Sequence, residues 1–226
     1  MLSLGLDPSM TGFGWCVHDT DAVGRSRVVK KGRWKTSSKD IFLCRYLYLR
    51  DSIGALLDEI PEIQIVGVES PPFGEQWSEG LYGLFLYVNE AVYLRRRDVV
   101  YFDPLTVKLL AKEDPTVRRG KMFKADMVAM AKADTGIARW NADEADAYHI
   151  ARFSARFLLL LDGLIDEDVL LPSERHVFLR QRVISAGGKT TIIRSKVSKI
   201  EGKTQGLGTM FRENDRFFRF SKLGAT

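Results

Sequence analysis

LSLGLDPSMTGFGWCVH, residues 2–18, reads as a strand, a tight reversal and a second strand. Leu2 to Leu6 is short and apolar and stops at Asp7-Pro8, because proline has no N–H to give a central ladder. Gly12 to His18 resumes in extended form, and Arg27 to Trp34 reads as a third strand. The short connections make the three an antiparallel meander.

Outward from this start the periodicity changes. Ile41, Leu43, Leu47, Ile53, Leu56 and Leu57 suit a helix from about Ser38 to Glu59, stopped by Pro61. Ile63 to Val68 is a buried strand ending in Glu69. Leu81, Leu84, Phe85, Val88 and Val92 lie at helical spacing before Arg95-Arg96-Arg97, and Asp98 to Phe102 is another strand. Short helices are expected near Leu105 to Ala111 and Lys121 to Ala133, and Asn141 opens a long one reaching about Leu161. Two strand–helix–strand crossovers require parallel pairing after the meander. The expected class is α/β, a mixed five-stranded sheet flanked by helices. From Leu171 onward, His176 to Ile184 and Thr190 to Ile200 read as strands around Gly187-Gly188, before the basic, aromatic FRENDRFFRF. The expected organisation is a body over 1–161, a linker over 162–174 and a small basic β-rich extension over 175–226.

Charge is distributed unevenly along the chain. From Glu174 to the end there are 12 Lys and Arg against 4 Asp and Glu, whereas the preceding residues carry 22 against 25. A near-neutral body with a basic tail suits a polyanionic partner. No apolar run approaches the roughly 20 residues of a membrane helix, and the N-terminus lacks the basic-then-apolar pattern of a secretory signal. Cys16 and Cys44 form neither a metal-spaced pair nor a disulfide framework. A cytoplasmic location is expected, in a host cell if the chain is of phage origin.

Four carboxylates stand where this topology could gather them. Asp7 ends the first strand and Glu69 the fourth; Asp143 and Asp146, three apart, share one face of the last helix. Each has an ordinary reading as a turn residue, an exposed strand end or a helix-start acid. Asn141 with Glu144 forms a capping-box pattern that accounts for the first-turn acids. Asp146 lies past that turn, beside the apolar Ala147 and Ile150. Converging carboxylates repel unless they share protons or bind cations. Hard oxygen donors select Mg²⁺ or Mn²⁺, and two such ions about 4 Å apart promote phosphodiester hydrolysis.

Gly5-Leu6-Asp7-Pro8-Ser9 with Thr11-Gly12-Phe13-Gly14 resembles the opening motif of the RuvC family of Holliday-junction resolvases. Val68-Glu69 is similar to that family's second acidic site, and Ala142-Asp143-Glu144-Ala145-Asp146-Ala147 to its last motif. Pro104, Val107-Lys108, Gly120 and Lys124 resemble its basic segment. The resemblance spans about residues 1 to 161. It implies an RNase H-like fold, two Mg²⁺ or Mn²⁺ ions per active site, and a homodimer that nicks four-way DNA junctions symmetrically. By the same resemblance Asp7, Glu69, Asp143 and Asp146 are metal ligands and catalytic residues, Lys108 and Lys124 contact DNA phosphates, and Phe73 is the aromatic that engages the junction. Phage members of the family act more broadly on branched DNA. Phe73 and Trp77 could also stack on unpaired bases, and His149 is expected as a packed helix residue rather than a general base. Gly12-Phe13-Gly14 also resembles the phosphate-binding turn of sugar kinases and actin-like ATPases, but no second glycine-rich loop follows. A non-catalytic branched-DNA-binding protein is a further alternative, less consistent with four acids near phosphates.

Overall fold

The computed structural model describes residues 1–21, 25–70, 79–112 and 123–179, with the backbone of three short strands beyond. The expected meander is present as β1 (Leu2–Asp7), β2 (Gly12–Thr20) and β3 (Ser26–Lys35), paired antiparallel. α1 (Phe42–Glu59) leads to β4 (Ile63–Glu69), and α2 (Glu79–Leu94) to β5 (Asp98–Phe102). β4 runs parallel to both β1 and β5, as the crossovers require. α3 (Pro104–Ala111), α4 (Lys124–Thr135) and α5 (Ala142–Leu161) complete the body. The five strands lie in the order β3-β2-β1-β4-β5.

Alternation sorts the side chains into two layers. Leu4 and Leu6 of β1, Phe13, Trp15 and Val17 of β2, and Val66 and Val68 of β4 meet Leu49, Ile53, Leu84 and Val88 of α1 and α2 in one core. On the other face, Ile65, Val100 and Phe102 meet Phe153 and Phe157 of α5 and Val107 and Leu110 of α3.

The helix starts differ from the expected ones for local reasons. α1 begins at Phe42 rather than Ser38, because Ser37 accepts hydrogen bonds from the backbone N–H groups of Lys39 (3.1 Å, to Oγ) and Asp40 (3.2 Å, to the carbonyl) in a separate turn. α4 begins at Lys124 rather than Lys121; the Asp126 carboxylate accepts the Phe123 N–H at 2.7 Å. α5 starts as its sequence pattern indicates: Glu144 N–H donates to Asn141 Oδ1 at 2.8 Å and Asn141 N–H to Glu144 Oε2 at 3.3 Å.

After α5 the structure corrects one expectation. His176–Leu179, expected as the start of a strand reaching Ile184, falls instead in a wide helical turn, Arg175–Leu179, that follows a short turn at Pro172–Glu174. Val177 and Phe178 are both fully buried, and Phe178 packs on Phe157 at 5.5 Å between ring centroids. A one-sided strand would bury only one of two consecutive residues, so packing overrides the strand propensity of the run. The stretch expected as a linker is packed as well: Ile165, Leu170, Ser173 and Glu174 are buried, and Arg156 Nε donates to Glu174 Oε1 at 2.5 Å. Strand pairing resumes at β6 (Arg182–Ile184), β7 (Thr190–Ile192) and β8 (Phe217–Phe220); β8 pairs parallel with β5 and antiparallel with β6, extending the sheet past β5 in the order β5-β8-β6-β7. The rest of the expected 190–200 strand lies outside the described residues. Among the described residues, no helix is long and apolar enough to cross a membrane.

Candidate active site at the strand ends

Three glycines let α5 cross the sheet at close range. A Cβ on Gly5 would lie 2.0 Å from the Ala147 carbonyl oxygen, one on Gly14 2.1 Å from that of Asp143, and one on Gly67 2.0 Å from Ser154 Oγ. Ser3 Oγ donates to the Ala151 carbonyl at 2.8 Å, fastening the same crossing. The helix thus descends diagonally over β2, β1 and β4, and its first turns arrive at the carboxyl ends of β1 and β4.

Register places the strand acids beneath them. Leu6 is beside Val68, so the next residues, Asp7 and Glu69, end adjacent parallel strands on the α5 face. Glu69 is held in place because Ser70 N–H and Oγ both donate to the Phe102 carbonyl, at 2.8 and 3.3 Å. The helix contributes Asp143 and Asp146 from one side, the spacing of three noted in the sequence.

The electrostatics show that these groups act on one another. Burial, then repulsion from Asp146 and Asp143, pushes the Asp7 carboxyl up to about 7. Burial, then repulsion from Asp7 and Asp146, raises Glu69 well above the ordinary carboxylate range. Burial, opposed by Lys124 and Lys108, leaves Asp146 raised to about 6. Among the described residues, Lys108 of α3 and Lys124 of α4 are the lysines whose charge opposes the rise at Asp7, Glu69 and Asp146. Asp143 differs from the other three because it is already paired, with Arg33 Nε at 2.9 Å and Lys124 Nζ at 3.5 Å.

Six of the seven expected site residues therefore come together: Asp7, Glu69, Asp143, Asp146, Lys108 and Lys124. Phe73, like Trp77 and Gly120, lies outside the described residues. His149 stands apart from the acids; it is fully buried, bonds the Met127 carbonyl through Nε2 at 3.2 Å, and burial lowers its pKa to about 4. Arg33 was not anticipated from the sequence. Strand register would have found it, since Asp7 is opposite Gly14 and Gly14 is opposite Arg33, one row on one face.

The donor set suits a hard divalent cation: carboxylate oxygens only, partly buried, with more negative charge than two lysines and an arginine neutralise. Among the described residues, no three carboxylate, imidazole or thiol groups are arranged to hold one ion without movement. Each Asp143 oxygen faces a cation, Oδ2 with Arg33 and Oδ1 with Lys124, so an ion bound there competes with both, and first with the longer Lys124 contact.

No protein-family model matches the sequence, and no curated protein matches it either. Solved structures do resemble the fold. RuvC of T. thermophilus, solved in complex with a Holliday junction substrate, superimposes with a TM-score of 0.60 at 20% identity over 71% of this chain and 96% of that one. A further Thermus thermophilus RuvC structure gives a TM-score of 0.60 at 19% identity over the same shares, 71% and 96%. The body thus has the RNase H-like fold of RuvC, as the sequence motifs suggested.

Proposed function

We propose that this protein is a divalent-metal-dependent endonuclease that cuts branched DNA, four-way junctions among them, by hydrolysing phosphodiester bonds with paired nicks. The observation that carries the reading is the group of four acids, Asp7, Glu69, Asp143 and Asp146, gathered on two strand ends and one helix face with three of them raised in pKa by burial and mutual repulsion. A protein that only bound DNA would gain nothing from buried, self-repelling negative charge beside phosphates. The RuvC-like fold supports the choice of branched DNA as substrate.

In this reading Asp7, Glu69, Asp143 and Asp146 hold Mg²⁺ or Mn²⁺, two ions per site. When bound, the ions supply Lewis acidity, making water a competent nucleophile near neutral pH and offsetting charge on the leaving oxygen. Lys108 and Lys124, next to the acids, bind the phosphates flanking the cut. The buried glycine crossing keeps the backbone of the helix acids in register with the strand acids, which leaves side-chain movement to complete the site.

Further parts of the reading concern assembly and the tail. A homodimer is proposed through the α1–α2 face, where Phe42, Tyr48, Tyr82 and Leu86 are exposed together with a Phe42–Tyr46–Tyr87 stack. The division into nuclease body, a connection over 162–174 and a basic extension over 175–226 is retained, with a packed connection. The extension's lysines and arginines would add sequence-independent phosphate contacts. A cytoplasmic site of action fits a DNA substrate.

End-labelled four-way, three-way and linear DNA, incubated with and without Mg²⁺, tests the reading. It predicts Mg²⁺-dependent nicks at the branch and little cutting of linear duplex. Cutting that persists in excess EDTA, or no cutting of any branched form, contradicts it.

A further inference from the structure

We propose that Arg33 is a positioning residue that holds one oxygen of Asp143, confines that ligand to its other oxygen, and so biases the metal site toward Mg²⁺ over Ca²⁺. The inference rests on the metal-site reading above.

Arg33 is seated by the fold. It lies on β3 opposite Gly14, and Gly14 lies opposite Asp7. The backbone of Asp143 sits in the space that a side chain at residue 14 would fill. The guanidinium occupies the space above Gly12, where a Cβ would be 2.0 Å from Nη2 and 2.4 Å from Nε. From this seat Nε reaches Asp143 Oδ2 at 2.9 Å. Gly12 and Gly14, two glycines of the opening motif, thus make room for the two partners of one ion pair.

The two cations on Asp143 are unequal. Arg33 is 34% exposed and Lys124 67%, and Lys124 is the more distant at 3.5 Å from Oδ1. A mobile, solvated ammonium yields to a divalent ion more readily than a seated guanidinium does. With Arg33 retained, Asp143 offers only Oδ1. Mg²⁺ keeps near-ideal octahedral geometry and takes single carboxylate oxygens, whereas Ca²⁺ accepts more ligands and gains from carboxylates that bind through both oxygens. Losing Arg33 does not detach the helix, because Lys31, two residues earlier, pairs with Glu144 at 2.7 Å.

Isothermal titration of the full chain, without DNA, measures Mg²⁺ and Ca²⁺ affinities separately. Arg33→Met removes a positive charge, which tightens both ions alike and cancels in their ratio. The inference predicts that the Ca²⁺/Mg²⁺ affinity ratio rises severalfold in Arg33→Met and rises also, by less, in Arg33→Lys, whose ammonium yields to the ion more readily. Gly12→Ala should raise the ratio too, because its methyl displaces the flexible end of Arg33, and it should add nothing in the Arg33→Met background. A ratio unchanged in both Arg33→Met and Gly12→Ala, with metal still bound, overturns the role of Arg33. Absence of Mg²⁺ and Ca²⁺ binding in the wild type overturns the metal-site reading and this inference with it.

Discussion

The two faces of the central sheet are made from the same strands and behave as opposites. Toward α1 and α2, β1 shows Leu4 and Leu6, β2 shows Phe13, Trp15 and Val17, and β4 shows Val66 and Val68. Toward α5, the alternate residues are Ser3, Gly5 and Asp7 on β1, Gly14 and Cys16 on β2, and Gly67 and Glu69 on β4. Large side chains make one face a source of stability through buried apolar area. Small ones over β1, β2 and the end of β4 make part of the other face a close backbone-to-backbone seat that fixes where the helix acids stop, beside a second core of Ile65, Val100 and Phe102. The same alternation that builds a core on one side therefore builds a site on the other.

The largest effect expected from breaking this contrast is at Asp7. Asp7→Asn should lower cleavage by about a thousandfold or more, as loss of a group acting in a unit does. Junction binding should be kept or improved, and the metal-free protein should melt higher at pH 8. The sign follows from the pKa, raised to about 7: the ionised carboxyl destabilises the fold above that value, and the penalty fades as pH falls below it. Cleavage assays, a binding titration and melting curves at pH 8 and pH 5 check all three parts.

A methyl on the small face should come next. Gly5→Ala would press on the Ala147 carbonyl and the Ala151 amide, both backbone atoms, at 2.0 and 2.5 Å. We expect cleavage to be lost along with about 3 kcal/mol of stability, read by denaturant unfolding beside activity. On the large face, Leu6→Ala should cost a similar ~3 kcal/mol through its cavity but leave substantial cleavage below the melting transition. If Gly5→Ala stays active while Leu6→Ala is dead, the division between the faces is wrong.

The smallest expected effect concerns His18, buried on the α5 face with Thr20 Oγ1 2.9 Å from its Nδ1. Burial lowers its pKa to about 4. The unfolded chain takes up its proton near pH 6.5, so this group's support is complete above that pH and declines toward pH 4, by about 2 kcal/mol at pH 5. His18→Gln should show a flatter loss of stability than wild type between pH 7 and pH 5 in denaturant titrations.

What the sequence made legible follows from how local each signal is. The alternation and turn chemistry of residues 2–18 depend on neighbours, as does the Asn141–Glu144 cap, and both are realised. The four acids were legible because strand ends and a helical spacing of three are local as well. Arg33 was not, since its pairing with Asp143 joins residues on β3 and α5 and appears only once the register is known. The glycine crossing was missed because Gly5 and Gly67 look like ordinary strand residues until a helix is laid over them. The 175–179 turn was misread because its β-branched and aromatic residues favour a strand, whereas contact with α5 determines the outcome.

In the proposed function, two strand ends and one helix face combine into one divalent-metal site. Mn²⁺ titrated into the full chain without DNA, followed by calorimetry, tests it directly in the wild type, Asp7→Asn and Asp146→Asn. The account predicts saturable binding in the wild type that is strongly weakened by the strand change and by the helix change alike. Wild-type binding that survives both substitutions undiminished would contradict it.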